Sequence, residues 1–295
     1  MFLTILTPTH NREHTLPRLY ESLCIQTNKN FEWLIVDDGS EDHSKELVKK
    51  FIDEKKISIR YFFKKNGGKH TAVNAGLIKV STPLTFIVDS DDKIVENAVE
   101  TIFNTWEKYG QSSSISSFWF LQKNEDGEII GDKFKGDNFV SNYLDVLVNS
   151  GIRGDKKSVY KTNIRKKYSF PEFKNEYFFG EGYIHKKIGE DYEAVFINEA
   201  IYVSEYLEDG LTKAGRKMRL RNPKSGILIS NEFLHGNIKF KIKIKKAILY
   251  TVYSIIDTKN AYQIFKEAKN RGLVLCLFPV SLFLYFKWKK EELKC

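Results

Sequence analysis

Three carboxylates crowd four positions at Asp89-Ser90-Asp91-Asp92, directly after the apolar and β-branched run Leu84-Thr85-Phe86-Ile87-Val88. The run reads as a buried strand, and the acids as its C-terminal end and the loop beyond. In open α/β sheets that end is where ligands sit. Three acids so close repel one another unless a cation lies among them. Hard oxygen ligands at this density suit Mg²⁺ or Mn²⁺, and such an ion can neutralise a diphosphate. The other reading is an Asp-rich turn capping a helix that begins near Lys93. On the acids alone the two readings stand even.

The elements that would position them repeat a pattern. Phe2 to Thr7 reads as a first strand ended by Pro8, with Thr9-His10-Asn11-Arg12 as its loop. A helix follows, with Leu16, Leu19, Tyr20 and Leu23 on one face. Phe31 to Val36 reads as a second strand ending in Asp37-Asp38-Gly39-Ser40. Ser40 or Asp42 can cap the next helix, which carries Leu47, Val48, Phe51 and Ile52. Ile57 to Phe63 reads as a third strand, Asn66-Gly67-Gly68-Lys69 as a glycine loop, and Thr71 to Val80 as a helix. Strands alternating with helices predict a mainly parallel, doubly wound sheet, so all four polar clusters fall along one edge. There Asp38 can accept from a base N–H. The glycines let backbone approach a phosphate, and Lys69 supplies charge. Any one cluster alone is ordinary turn chemistry; four in a row are not. Neither a dinucleotide fingerprint nor a P-loop is present in the sequence.

These stretches, ILTPTHNR at 5–12, LIVDDGSEDHS at 34–44, KNGGKHTAVNAG at 65–76 and FIVDSDD at 86–92, resemble family 2 glycosyltransferases of the GT-A fold. The resemblance covers the first ~110 residues, a size suited to one nucleotide-binding half. It implies that Pro8, Thr9 and Asp38 hold a uridine. It implies Asp89 near the ribose and metal, with Ser90 beside it in the same motif, and Asp91 as a direct metal ligand. Asp92 is assigned to the shell behind the metal or to a helix cap. Asn66, Gly68 and Lys69 join the donor site. The chain departs from the family's common Ala-Arg-Asn form by carrying Ala72-Val73-Asn74, so that Arg contact is absent and Lys69 is the candidate replacement.

Beyond Gly110 the pattern changes. Ile115 to Leu121 reads as a strand, Asn124 to Gly127 as a turn, and Phe139 to Val148 as a helix. Val159-Tyr160 is a short strand. Glu181 to Ile184 opens a helix, and Ala194 to Asn198 and Ile201 to Tyr206 read as two short strands. The resemblance places the acceptor site and catalytic base in this half. Glu181, beside Tyr177, Phe178 and Phe179 at a helix start, is the carry-over. Aromatic burial would raise its pKa and the helix dipole would lower it. The bland alternative is a simple helix N-terminal charge. Asp155 is the second candidate, as base or acceptor contact, and Asp191 the third. After Glu205 to Thr212, the cations Lys213, Arg216, Lys217, Arg219 and Arg221 suit either a lid over a diphosphate or a solvated linker.

The chain has 295 residues, with 47 Lys plus Arg against 38 Asp plus Glu, a net charge of +9. The length allows one large domain or two, and the composition is globular. A basic balance points to phosphates: a nucleotide, an anionic membrane or nucleic acid. Cys24, Cys276 and Cys295 show neither metal spacing nor a disulfide framework, which fits a reducing compartment. The six histidines lack paired ligand spacing. Residues 1–8 do not read as a signal peptide.

The sequence divides at Asn222-Pro223-Lys224-Ser225-Gly226 into a catalytic domain, 1–222, and a basic, apolar helical region, 223–295. Within the first, 1–110 is the nucleotide half and 111–222 the acceptor half. Lys239 to Lys246 interleaves basic and apolar residues, and Leu273 to Phe286 is an uncharged run of 14, followed by Lys287, Trp288, Lys289 and Lys290. Spanning takes about 20 apolar residues, so the run suits a helix lying in the membrane interface. The alternative is packing on the catalytic domain or on another copy of the chain in a homo-oligomer.

The expected activity, from the resemblance, is inverting transfer of a hexose from a UDP-sugar to a saccharide, lipid-linked as in surface polysaccharide assembly. It would use Mn²⁺ or Mg²⁺, with no nucleic acid partner, at the cytoplasmic face of the membrane or in the cytoplasm. A sugar-nucleotide nucleotidyltransferase is one rival, but the Gly- and Arg-rich first loop it would need is missing from Thr7 to Asn11. A non-catalytic basic scaffold is the other, and it leaves Asp38, Asp89 and Asp91 without purpose.

Overall fold

The computed structural model describes residues 1–136, 138–204 and 211–292, and of 211–214 and 291–292 the backbone alone. Glu205 to Gly210 lie outside the described residues; of the cations read as a lid or a linker, Lys213, Arg216, Lys217 and Arg219 fall within the helix Leu211–Leu220 and Arg221 directly after it. The chain forms two compact units, residues 1–170 with 184–208, and residues 171–183 with 209–295.

The first unit is built on a nine-stranded sheet, ordered β3-β2-β1-β4-β8-β6-β9-β5, with β7 on β9. The strands are β1 (Leu3–Thr9), β2 (Phe31–Asp37), β3 (Ser58–Phe63), β4 (Leu84–Ile87), β5 (Lys93–Ile94), β6 (Ile115–Lys123), β7 (Phe139–Asn142), β8 (Lys157–Lys161) and β9 (Glu193–Val203). β1 to β4, β6 and β9 run one way; β5, β7 and β8 run the other. The helices of this half are α1 (Leu16–Cys24), α2 (Ser44–Glu54), α3 (Lys69–Lys79), α4 (Ala98–Tyr109), the single turn α5 (Thr162–Arg165) and α6 (Gly182–Asp191). Leu16, Leu19, Tyr20 and Leu23 of α1 are buried, as the spacing predicts, and Tyr20 stacks on Phe51 of α2 at 4.0 Å between ring centroids.

Several expectations are corrected. β1 does not stop before Pro8 but runs through it to Thr9. Leu6 O accepts from Val88 N on the β4 side and Thr9 O from Asp38 N on the β2 side. Pro8 therefore faces the side where β4 has already ended, and its missing N–H costs no ladder bond. Neither Ser40 nor Asp42 is the N-cap of α2, which is His43; Ser40 Oγ accepts from Asn11 N and Asp42 Oδ1 from Ser44 N. No helix begins near Lys93, which opens β5, and α4 starts at Ala98. Phe139 to Val148 is strand β7 followed by a π-helical turn, Leu144–Asn149. A short apolar run carries too little periodicity to separate helix from strand, and here pairing with β9 and stacking of Phe139 on Phe196 at 5.4 Å decide it. The two short strands read at Ala194 to Asn198 and Ile201 to Tyr206 are one strand, β9, as far as Val203; Glu205 and Tyr206 lie outside the described residues. Its partner register jumps from Phe120↔Ile197 to Leu121↔Ala200, so Asn198 and Glu199 bulge without ending it. Asn198 exchanges side-chain bonds with the Phe134 backbone, which fixes the bulge.

The second unit is helical: α7 (Leu211–Leu220), α8 (Pro223–Glu232), α9 (Phe240–Ile256), α10 (Ala261–Glu267) and α11 (Arg271–Glu292). Its core gathers Leu220, Ile227, Leu234, Ala247, Tyr250, Tyr253, Ile264 and Val274. Gly226 lets α8 and α9 close: a Cβ there would lie 2.6 Å from the Tyr253 ring. α11 is long and apolar enough to cross a membrane, with 11% of its apolar window buried. Leu275, Val280, Phe283 and Phe286 are exposed along it.

Candidate active site

Parallel register builds the site. Thr9 pairs with Asp37 across β1 and β2, and Asp37 with Phe63 across β2 and β3. Asp38 N donates to Thr9 O and Lys64 N to Asp37 O, so the three strand ends sit side by side. Asp37 serves the scaffold: its carboxylate accepts from Ser40 N and from Tyr61 Oη at 2.7 and 2.6 Å. Burial, and then that bond, raise the Tyr61 pKa. Gly39 follows with φ +82°, and a Cβ there would lie 2.7 Å from Asn66 N, so only glycine fits between the second loop and the glycine loop. Asn66 Nδ2 lies 3.3 Å from the His10 ring nitrogens, which brings the first loop to the same place.

Asp38 is buried. Lys64 Nζ donates to its Oδ1 at 2.6 Å, Gly67 N donates at 3.1 Å and Gly68 N donates to Oδ2 at 2.6 Å. The glycine N–H groups, expected to meet a phosphate, are thus turned onto Asp38. Lys64 spends its remaining protons on Lys65 O and Thr71 Oγ1, tying the end of β3 to the first turn of α3. Among the described residues, the buried Thr9 Oγ1 has no hydrogen-bond partner. Leaving such a hydroxyl unpaired is costly, and a bound molecule would relieve it.

The acids after β4 do not stand without cations, as the sequence argument supposed. Lys69 Nζ lies 2.6 Å from Asp89 Oδ1, and Lys157 Nζ lies 3.9 Å from Asp89 Oδ2 and 3.8 Å from Asp92 Oδ2. Lys69 therefore faces Asp89, and Lys64 is the cation beside Asp38. The buried Tyr202 of β9 accepts from Asp89 N at 3.0 Å and donates to Asp92 Oδ2 at 2.8 Å, locking the loop to the sheet. Ser90 is buried within this loop. Asp92 caps no helix. Burial pushes its carboxyl up to about 6; Lys157 pulls it down, and Asp89 and Asp91 add to the rise. Arg18 of α1 donates to Asp91 O. Among the described residues, nothing donates to the Asp91 carboxylate. Asp91 and the half-buried Asp89 offer an all-oxygen donor set, which fits a hard divalent ion.

Asp155 is exposed in the loop before β8, and Asp191 accepts from Tyr168 Oη at 2.6 Å. Glu181 is exposed at the residue before α6 and belongs to the second unit, whereas the acids after β4 belong to the first. Sequence reasoning missed Lys64, Lys157 and Tyr202. Lys64 stands directly between β3 and the glycine loop and could have been found there. The other two reach the acids only through strand pairing.

The family model for Glycosyl transferase family 2 matches residues 4–168. The glycosyltransferase GlyA of Streptococcus pneumoniae serotype 4 is 27% identical over 242 residues, 79% of this chain. The chain spans about a third of GlyA's length, 33%. Among solved structures, residues 1–349 of TarS from S. aureus in complex with UDP-GlcNAc superpose with a TM-score of 0.64 at 19% identity, over 86% of this chain and 71% of that one. The mannosyltransferase PcManGT of Pyrobaculum calidifontis, in complex with GDP-Man and Mn²⁺, gives 0.58 at 15% identity, over 98% and 83%. These likenesses give the fold as GT-A. The family match covers more than half of the chain and the strand ends that carry Thr9, Asp38 and the acids after β4; this chain belongs to glycosyl transferase family 2.

Proposed function

We propose that this chain transfers a hexose from a UDP-sugar, with the strand-end row of Thr9, Asp38, Asp89 and Asp91 as the donor site. The observation that carries the reading is the register that aligns β1, β2 and β3, with Lys69 bridging the start of α3 to Asp89. Pro8 and Thr9 form the floor of the nucleoside site, where the Thr9 hydroxyl lacks a partner. Asp38 accepts from the base N–H, and Asn66 and Gly68 close the site beside it. Asp91 and Asp89 would hold Mn²⁺ or Mg²⁺, which supplies neutralising charge to a leaving diphosphate. Ser90 keeps its place between them. TarS, whose fold this chain shares, has UDP-GlcNAc bound, which supports the UDP-sugar donor; PcManGT has GDP-Man and Mn²⁺ bound, which supports a nucleotide sugar held with a divalent ion.

Glu181 takes the acceptor proton, so that transfer is a direct displacement with inversion, and Asp155 contacts the acceptor. The acceptor is a lipid-linked saccharide of a surface polysaccharide. The chain works from the cytoplasmic face of an anionic membrane, with α11 against the lipid. Exposed Leu275, Val280, Phe283 and Phe286, followed by Lys287, Lys289 and Lys290, support that docking. The test is release of UDP from a panel of UDP-hexoses with Mn²⁺ present and water as acceptor. One donor should turn over, and Glu181→Gln should lower its kcat by about 10² to 10⁴. No turnover of any UDP-hexose would overturn the reading.

A further inference from the structure

Glu181 ends a stretch, Tyr177 to Gly180, that has no regular secondary structure. Something must hold it if Glu181 is to act from one position. The buried Glu176 carboxylate accepts from Lys224 N at 2.7 Å, Ser225 N at 2.9 Å and Ser225 Oγ at 2.7 Å. The two N–H groups belong to the first turn of α8, where no helix can satisfy them internally. Asn222, the buried residue before α8, reaches the opposite way. Its Oδ1 accepts from Tyr177 N at 2.7 Å and Phe178 N at 3.1 Å, and its Nδ2 donates to Met218 O at 2.6 Å. The two side chains thus exchange caps: Glu176 closes the start of α8, and Asn222 closes the strip of backbone leading to Glu181. The strip is also packed. A Cβ on Gly180 would lie 3.3 Å from Ile229 Cδ1 of α8, and the buried Phe179 meets Tyr183 edge-on at 5.3 Å. The stretch from Asn222 to Ser225 is therefore an anchor for this strip of backbone.

We propose that Asn222 and Glu176 are positioning residues for Glu181: they fix the backbone from which its carboxylate works. The inference rests on the reading of Glu181 as the base. A reacting group displaced by about 1 Å can lose on the order of a hundredfold in rate without any change in ground-state binding. A cap that merely stabilises α8 would instead lower stability and scale every activity together.

The experiment measures kcat and KM for UDP release from the UDP-hexose that turns over, together with UDP affinity and the melting temperature. Asn222→Ala should lower kcat about 10- to 100-fold with KM and UDP affinity within about twofold of wild type. Asn222→Asp keeps the acceptor oxygen but loses the bond to Met218 O, so it should restore part of the lost kcat, while Asn222→Leu should restore none. Glu176→Gln, which keeps one carbonyl acceptor for α8, serves if the alanine variant does not fold; it should show the same loss of kcat at unchanged KM. Wild-type kcat in Asn222→Ala overturns the inference. So does a loss shared equally by kcat, UDP affinity and melting temperature that Asn222→Asp fails to restore. Glu181→Gln run alongside separates the two ideas. If it is inactive while Asn222→Ala is normal, only the positioning role falls; if it turns over normally, the base assignment falls and takes the positioning role with it.

Discussion

Replacing Lys64 with Met should cost the protein about 3 kcal/mol of stability, at the low end of the range for breaking a buried ion pair. The ammonium lies 2.6 Å from the Asp38 carboxylate, whose side chain is 4% exposed. At that distance and an effective dielectric of about 20, the direct attraction is about 6 kcal/mol. Part is recovered because Met carries no charge to desolvate. A further part is retained because Gly67 and Gly68 still donate to Asp38. What remains is a buried carboxylate short of one cation, plus Thr71 Oγ1 and Lys65 O short of a donor. Urea unfolding of wild type, Lys64→Met, Asp38→Asn and the double variant measures it. The double variant should be more stable than the sum of the singles predicts by at least about 1 kcal/mol, because each single leaves the other partner buried and uncompensated. A Lys64→Met variant within about 0.5 kcal/mol of wild type would refute the reasoning, because that is the range of an inconsequential surface change.

Tyr202→Phe removes the hydroxyl that joins Asp89 N to Asp92 and should cost about 1 to 3 kcal/mol, measured by chemical unfolding, because it orphans buried partners. The same variant should weaken Mn²⁺-supported UDP binding by calorimetry; unchanged affinity would mean the bridge does not shape the acidic loop. Membrane docking is tested by point changes, since α9 supplies core residues Tyr250 and Tyr253 and deleting it would dismantle the second unit. Phe283→Ser with Phe286→Ser should reduce cosedimentation with anionic vesicles at least tenfold without moving the melting temperature. Residual binding of the wild type should fall as salt rises, and absence of lipid association at low salt would end the membrane reading.

The N-terminal half was legible because each strand is a continuous apolar run and each run ends in residues that suit few local conformations. Asp37-Asp38-Gly39 and Asn66-Gly67-Gly68 announce turns before any contact is known. Their partners were not legible: nothing near Asp38 in sequence says that Lys64 and two glycine N–H groups will converge on it. The second half was harder. β7 and the π-helical turn after it differ from a helix only through pairing with β9, and the bulge at Asn198 imitates a turn because asparagine is a turn former. Lys157 shows the deeper limit. It sits in an unremarkable basic stretch and meets Asp89 and Asp92 only because β8 runs antiparallel to β4. Repulsion among the three acids is therefore an incomplete reason for a metal, since the fold supplies two ammonium groups to the same acids.

That incompleteness singles out the most direct test. UDP binding is measured by calorimetry to wild type and Asp91→Ala, each with Mn²⁺ and with a chelator. If Asp91 holds the ion, Mn²⁺ should tighten UDP binding to wild type at least tenfold, about 1.4 kcal/mol, and leave Asp91→Ala at its chelated affinity. If Lys69 and Lys157 serve the diphosphate alone, wild type and variant will bind UDP equally with and without Mn²⁺, and the metal site proposed at Asp91 and Asp89 is contradicted.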